Sequence, residues 1–250
     1  MHPRTFANLA LSPLAFGAFK IGRNINTRYG YAYELPDEDA AARLLQRVLD
    51  LGINIIDTAP AYGLSEERIG KALAHRRQDY FISTKVGEQF RDGQSTFDFS
   101  AAAVTQSIHD SLRRLRTDHL DFVFIHSNGD DQRIMNETDC AATLQSLRDQ
   151  GLIRHIGLSG KTVSGAMQAL LWASVLMVTY NPGDTSHESL IAEAARKNIG
   201  IFVKKGLASG HMAPDEAIPW ILKNRDVTTL VIGTLKEEHI AANVRIASAC

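Results

Sequence analysis

The chain has 250 residues, 44% hydrophobic and 22% charged, with a formal net charge of −1. This is the balance of a soluble globule with enough apolar residues for a sizeable core, and it gives no electrostatic bias toward nucleic acid or an anionic membrane. The two cysteines, Cys140 and Cys250, form no CxxC pair, which speaks against a disulfide framework or a zinc site and fits a reducing compartment.

Residues 1–20 carry no basic segment followed by an uninterrupted apolar stretch, so no signal peptide is expected. The longest apolar runs fall far short of the ~20 residues needed to cross a bilayer. A cytoplasmic protein is the expectation. Along the chain, short runs rich in β-branched residues alternate with stretches of helical period. Strands are predicted at 14–18, 53–58, 80–85, 120–126, 155–159, 175–180, 199–204 and 229–233. A long irregular segment, 21–36, follows the first. The helix at 37–51 places Ala41, Leu44, Leu45, Val48 and Leu51 on one face. The next, 65–74, opens with Ser65 ahead of Glu66 and Glu67, an N-cap signal. Helices at 100–115, 140–150, 163–172, 187–197, 214–223 and 237–249 complete the alternation.

Most of these strands are apolar on both parities, as expected for strands covered on both faces. Strand–helix alternation implies right-handed parallel crossovers, and eight such pairs close naturally into a barrel. An open doubly wound sheet is the alternative, but its GxGxxG fingerprint is missing. No low-complexity linker divides the chain. The expectation is one α/β domain over residues 1–250, a (β/α)8 TIM barrel.

In such a barrel, chemistry sits at the C-terminal ends of the strands. The second strand ends in Asp57 and runs on to Tyr62, the third ends in Lys85 and the fourth in His126. Each alone has an ordinary structural reading: a cap or turn for Asp57, packing for Tyr62, a solvent-facing strand end for Lys85 and a hydrogen-bonded near-core ring for His126. Their joint occurrence on successive strand ends is what points to catalysis.

These residues lie in motifs that resemble the aldo-keto reductases. The resemblance rests on the run from Gly52 through Asp57, Thr58, Ala59, Pro60 and Ala61 to Tyr62 and Gly63, then Ser65-Glu66, Ser83-Thr84-Lys85 and Asp121 to His126. It continues through Gly151 to Ser159, Tyr180-Asn181-Pro182, Val231 to Thr234, and Asn243. It extends from about Ser12 to the last residues of the chain. It implies an NAD(P)H-dependent oxidoreductase that reduces aldehydes or ketones to alcohols, with NADP(H) ahead of NAD(H) and a small carbonyl compound as substrate. No nucleic acid, membrane or metal partner is implied, and the oligomeric state stays open.

The chemistry explains the residue types. Hydride delivery to a carbonyl carbon puts negative charge on the oxygen, which must be protonated as it develops. A tyrosine with a pKa near ~10 is a reluctant acid–base group, and a lysine ammonium beside it lowers that value. By the resemblance, Tyr62 is the acid–base, Lys85 its tuner, Asp57 the lysine's support and His126 the donor that orients the carbonyl.

The cofactor contacts implied by the resemblance are less regular. Gly17, Ala18 and Phe19 match the stretch under the cofactor, with Asp57 beside it, and Ser159 matches a carboxamide-binding serine. Gly160 stands where an asparagine is expected and Met177 where a glutamine is common. Lys204 or Lys205, with Leu207 following, stands where an aromatic residue stacks on the nicotinamide. Gly233, Thr234, Lys236, His239 and Asn243 match the element that grips the adenosine 2′-phosphate and adenine, although its frequent arginines are absent. These departures bear on binding geometry more than on reaction class. Only a few residues separate Gly210 from the helix at 214–223, which suggests an open pocket, and Tyr29, Tyr31 and Tyr33 are candidates for an aromatic wall.

Three rival readings remain. Gly160-Lys161-Thr162 ends like a phosphate-binding P-loop, but the required upstream glycine is His155. Lys85 as a Schiff-base amine would make the chain a barrel isomerase or lyase, which needs an unpaired, desolvated lysine. A nicotinamide-binding protein with little catalytic activity is the third. The nine histidines show no HxH or HExxH grouping for metal hydrolysis.

Overall fold

A tight turn opens the chain. Ala7 and Asn8 both lie in the left-handed region (φ 45° and 66°), the geometry that joins two antiparallel strands, and residues 4–11 fold into β1 (Arg4–Phe6) and β2 (Leu9–Leu11). In the computed structural model, which describes residues 1–27 and 32–250, there follow β3 (Leu14–Gly17), α1 (Glu38–Asp50), β4 (Ile55–Asp57), α2 (Ser65–Leu73) and β5 (Phe81–Val86). A second hairpin, β6 (Glu88–Arg91) and β7 (Gln94–Phe97), precedes α3 (Ala101–Leu115) and β8 (Leu120–His126). The chain continues through α4 (Asp131–Glu137), α5 (Cys140–Asp149), β9 (Ile153–Ser159), α6 (Val163–Ala169), β10 (Val175–Thr179) and α7 (Glu188–Arg196). Last come β11 (Gly200–Lys204), α8 (Pro214–Lys223), β12 (Thr229–Ile232) and α9 (Glu237–Ser248).

The strands β3, β4, β5, β8, β9, β10, β11 and β12 pair in parallel in that order, and β12 returns to β3, so the barrel closes. The expected (β/α)8 fold is the fold observed. Three elements were not anticipated: the β1–β2 hairpin, the β6–β7 hairpin and α4. The expected cap at Ser65 is also corrected. Ser65 is fully buried, its hydroxyl donating to Ala18 O at 2.9 Å and accepting from Thr58 Oγ1 at 2.8 Å. It therefore ties α2 to the strand ends rather than capping its own helix. True caps are Asp37 on α1, Ser100 on α3 and Thr162 on α6, each side chain accepting a backbone N–H of the first turn.

Strand alternation divides the core in two. Outward residues such as Leu14, Ile56, Val123 and Ile156 pack under the helices with Leu45, Ile108 and Leu144. Inward residues Ala15, Ile55, Phe122, Phe124, Val175, Met177 and Phe202 fill the barrel. Phe6 and Leu11 of the first hairpin join this inner cluster, and the Phe6 ring meets His155 edge-on at 5.0 Å. Burying a side chain of this size contributes about 1.5–3 kcal/mol, so the hairpin is held firmly against the end where β9 begins. Arg4 fastens it further by donating to the carbonyls of Leu222, Asn224 and Val227.

Candidate active site

The inward parity that fills the barrel with apolar residues ends, strand by strand, in functional groups. Asp57 pairs across to Ser83, Lys85 to Phe124, His126 to Ser159 and Thr179 to Lys204. All lie at the C-terminal ends of their strands, where this fold places its chemistry.

Lys85 is 2% exposed and Asp57 3%. Lys85 Nζ donates to Asp57 Oδ1 at 2.9 Å, to Asp57 Oδ2 at 2.8 Å and to Thr58 O at 2.8 Å. Ser83 Oγ donates to the same carboxylate at 2.7 Å. Burial works to lower the Lys85 pKa, but Asp57 and Tyr62 outweigh it and raise it, so the lysine stays an ammonium. Its Nζ lies 4.8 Å from the centre of the Tyr62 ring. A charged, fully engaged amine is a poor Schiff-base nucleophile, which removes the main support for the lyase reading.

Tyr62 ends a short 3-10 turn, Pro60–Tyr62, and its ring packs edge-on against Phe19 at 4.9 Å and His126 at 6.2 Å. Its pKa departs from the sequence expectation. Burial raises it above 10, Lys85 pulls it down, Asp57 and Glu88 push it up, and the net direction is upward. Tyr62 is therefore a neutral phenol at pH 7, the form that gives a proton.

Sequence reasoning missed Glu88. It stands just beyond β5, after Gly87, whose φ of 98° turns the chain into the second hairpin; a Cβ there would lie 2.2 Å from the Phe99 ring. One carboxylate oxygen of Glu88 accepts from Ser95 Oγ at 2.6 Å, and the other lies 2.7 Å from His126 Nδ1. The latter is a close charge contact rather than an aligned hydrogen bond, and Nδ1 is shut off from solvent with no other partner. Burial holds His126 below its usual 6.5 despite the pull of Glu88. Burial works to raise Glu88, but His126, Ser95 and Arg23 bring it down to about 2, so it is a carboxylate beside the His126 ring. The hairpin is stitched to the segment after β3: the Arg23 guanidinium sits 3.3 Å from the Phe90 ring centre and donates to Ala61 O at 3.2 Å, and Asn26 donates to Gly93 O. A signal for the hairpin was present in Asp92-Gly93 between alternating residues.

The other candidates fall into three places. Gly17 and Gly233 meet where β12 closes on β3; a Cβ on Gly233 would lie 2.5 Å from Gly17 O, so the two backbones need that contact bare. Ala18 and Phe19 follow in a 3-10 turn. Lys204 reaches inward, its Nζ donating to Ser159 Oγ at 3.0 Å and to Gly160 O at 2.6 Å. Burial first, then the charges of Lys205 and Lys85, lower its pKa to about 7. Lys205 instead is exposed with φ 54°, and Leu207 packs against the outer core. Met177 belongs to the inner apolar fill. Thr234, Lys236 and His239 gather at the start of α9, where Lys236 occupies the N-cap without any side-chain cap bond, and Asn243 is buried farther along the helix. Thr234 Oγ1 accepts from Lys236 N at 3.2 Å and lies 3.5 Å from His239 Nδ1. Of the proposed aromatic wall, Tyr29 and Tyr31 lie outside the described residues, and the Tyr33 hydroxyl donates to Arg23 O.

Asp131, also missed, explains the P-loop-like string. Its carboxylate accepts from Lys161 N at 2.9 Å, Thr162 N at 2.8 Å and Thr162 Oγ1 at 2.7 Å. Two backbone donors that a phosphate would need are thus spent on a structural corner.

A closed parallel barrel with a buried Lys–Asp pair, a tyrosine and a histidine at its C-terminal mouth is the arrangement that the resemblance to the aldo-keto reductases implies. The chain belongs to that family: the aldo/keto reductase family model matches residues 13–216. Among solved structures, PA4992 of Pseudomonas aeruginosa shares 43% identity over 96% of this chain and 91% of that one, with a TM-score of 0.89. L-galactose dehydrogenase of Arabidopsis thaliana is 31% identical over 85% of this chain, and D-arabinose 1-dehydrogenase of Saccharomyces cerevisiae 35% over 60%. The matched parts make up 66% and 43% of those two curated relatives. Among the described residues, no helix is long and apolar enough to cross a membrane.

Proposed function

We propose that this chain is an NAD(P)H-dependent oxidoreductase that interconverts a carbonyl compound and its alcohol, with Tyr62 exchanging the proton at the reacting oxygen. The observation that carries the reading is the buried Lys85–Asp57 pair set against the Tyr62 ring. It holds a positive charge beside the phenol without leaving an amine free for covalent chemistry. As the phenol gives up its proton, the ammonium stabilises the phenolate that forms. His126, across the mouth, donates to the same oxygen and orients it.

The residues present fit a nicotinamide dinucleotide. The start of α9, uncapped by any side chain and bearing Lys236, suits a phosphate. The Gly17–Gly233 contact leaves the mouth bare of side chains where β3 and β12 meet, and Ser159 with Lys204 offers polar groups for a carboxamide. When bound, the reduced cofactor supplies the hydride. NADP(H) is favoured over NAD(H) by the Lys236–His239 pair. The names of the two curated relatives make aldoses the first substrates to assay.

The test mixes the protein with NADPH or NADH and a panel of aldehydes, ketones and aldoses, following reduced-cofactor absorbance in both directions. Turnover that Tyr62→Phe abolishes supports the reading. A folded protein that binds cofactor but turns over nothing in the panel returns the chain to the nicotinamide-binding alternative.

A further inference from the structure

The Glu88 carboxylate and His126 form a pair that none of the chemistry above uses, and it sits on a hairpin added to the barrel rather than on the barrel itself. A carboxylate oxygen 2.7 Å from a ring nitrogen repels a lone pair there, so its charge favours a proton on Nδ1 although the contact is not an aligned hydrogen bond. In the neutral imidazole that proton is the only one, so Nε2, the opposite nitrogen, carries a lone pair. The ring keeps 22% exposure although Nδ1 is sealed.

We propose that Glu88 is a positioning residue of the reaction, holding the neutral His126 ring in its Nδ1–H form so that His126 donates to a carbonyl oxygen only as the doubly protonated imidazolium. The inference rests on the proposed carbonyl–alcohol chemistry for its kinetic consequence but not for the proton placement itself. It makes carbonyl engagement depend on the charge of His126. The groups facing the ring act in opposite directions: Glu88 from the hairpin favours the imidazolium, while Lys85 from β5, Lys204 from β11 and burial oppose it. Tyr62, edge-on at 6.2 Å, is a neutral phenol and takes no part in that balance. As pH rises through the His126 ionisation, the donor at Nε2 is lost, and carbonyl reduction should fall tenfold per pH unit.

Two Glu88 variants separate charge from proton placement. Glu88→Gln keeps a partly negative oxygen beside Nδ1 but removes the full negative charge. It should keep the tautomer and move the descending limb of kcat/KM for reduction to lower pH by about one unit or more, the usual effect of losing an opposite charge at this range. Glu88→Ala frees the ring to carry its proton on Nε2, where the neutral form can donate. The limb should then flatten, and reduction above pH 7 should exceed that of Glu88→Gln by about tenfold, the scale of one hydrogen bond.

Nitrogen-15 NMR of histidine-labelled protein, with the His126 signal assigned by its loss in His126→Asn, reads the tautomer without any turnover. An Nδ1–H ring in the wild type and an Nε2–H ring in Glu88→Ala support the proposal. An Nε2–H ring in the wild type overturns it, as does a pH limb unchanged in both Glu88 variants. If no carbonyl is reduced at all, the proposed function fails while the NMR result still decides where Glu88 holds the proton. Thermal melts of the near-isosteric Glu88→Gln separate these effects from loss of fold.

Discussion

Replacing Lys85 by methionine separates the structural and chemical duties of one residue. The change keeps much of the side-chain volume but removes three hydrogen bonds at once, two to Asp57 and one to Thr58 O. Asp57, 3% exposed, would keep only the Ser83 hydroxyl at 2.7 Å. Breaking a buried ion pair by removing one partner costs about 3–5 kcal/mol, because the charge left behind has neither solvent nor counter-ion. In a domain of this size each kcal/mol lowers Tm by about 2–4 °C, so the melt should fall by roughly 6–20 °C. Adding Asp57→Asn removes the stranded charge and should restore much of that stability. Urea unfolding of the wild type, the two single variants and the double variant gives the coupling directly. Turnover should behave differently, staying low in the double variant because Tyr62 still lacks its cation. A Lys85→Met protein with an unchanged urea midpoint, or a double variant that recovers activity along with stability, would refute the reasoning.

Other perturbations read single roles. Tyr62→Phe removes a hydroxyl from a partly exposed ring, and should leave the melt and cofactor binding nearly unchanged while carbonyl reduction falls about a hundredfold or more, the scale of general acid catalysis. Lys204, with its pKa lowered to about 7, is charged in the mouth below that pH and neutral above it. A charged amine there repels the cationic oxidised nicotinamide more than the neutral reduced ring, so the ratio of the oxidised-form Kd to the reduced-form Kd should fall between pH 6 and pH 8. Fluorescence titration reads that ratio, and Lys204→Met should weaken its dependence on pH. Lys236→Ala should weaken NADPH several-fold and NADH little, and the wild-type preference should shrink as salt screens the phosphate contact; an unaltered preference in the variant would move the phosphate elsewhere.

Much of the barrel and its mouth is legible in the sequence because strand parity does two jobs. Ile55 and Asp57 share one face of β4, as Phe122, Phe124 and His126 do on β8, so the pattern that marks the interior also marks where it turns polar. Glu88 escaped because β6 and β7 are short and largely polar, with half-exposed or exposed residues and no apolar face for periodicity to detect. Only Asp92-Gly93 announced a turn there. Ser65 was misread for the opposite reason: a serine ahead of two glutamates is a capping pattern, yet the hydroxyl is claimed by Ala18 O and Thr58 across the fold. Asp131 carries no local sequence signal because its partners, Lys161 and Thr162, lie 30 residues and more away in sequence. The pKa of Tyr62 depends on how deeply the phenol is enclosed, which no spacing encodes.

The shared parity has a consequence for inheritance. A one-residue deletion within β5 would turn Lys85 toward the helices and bring in a neighbour such as Thr84, whose hydroxyl now bonds Glu66 at 2.6 Å beneath α2. Strands of this protein are thus counted to the residue, whereas a change of length in a connecting loop leaves that parity intact. A longer or shorter β6–β7 hairpin would leave the barrel register intact while changing what borders the mouth. A change of register is not gradual, because the slip that moves one residue of the mouth also turns that strand's buried side chains to the wrong layer.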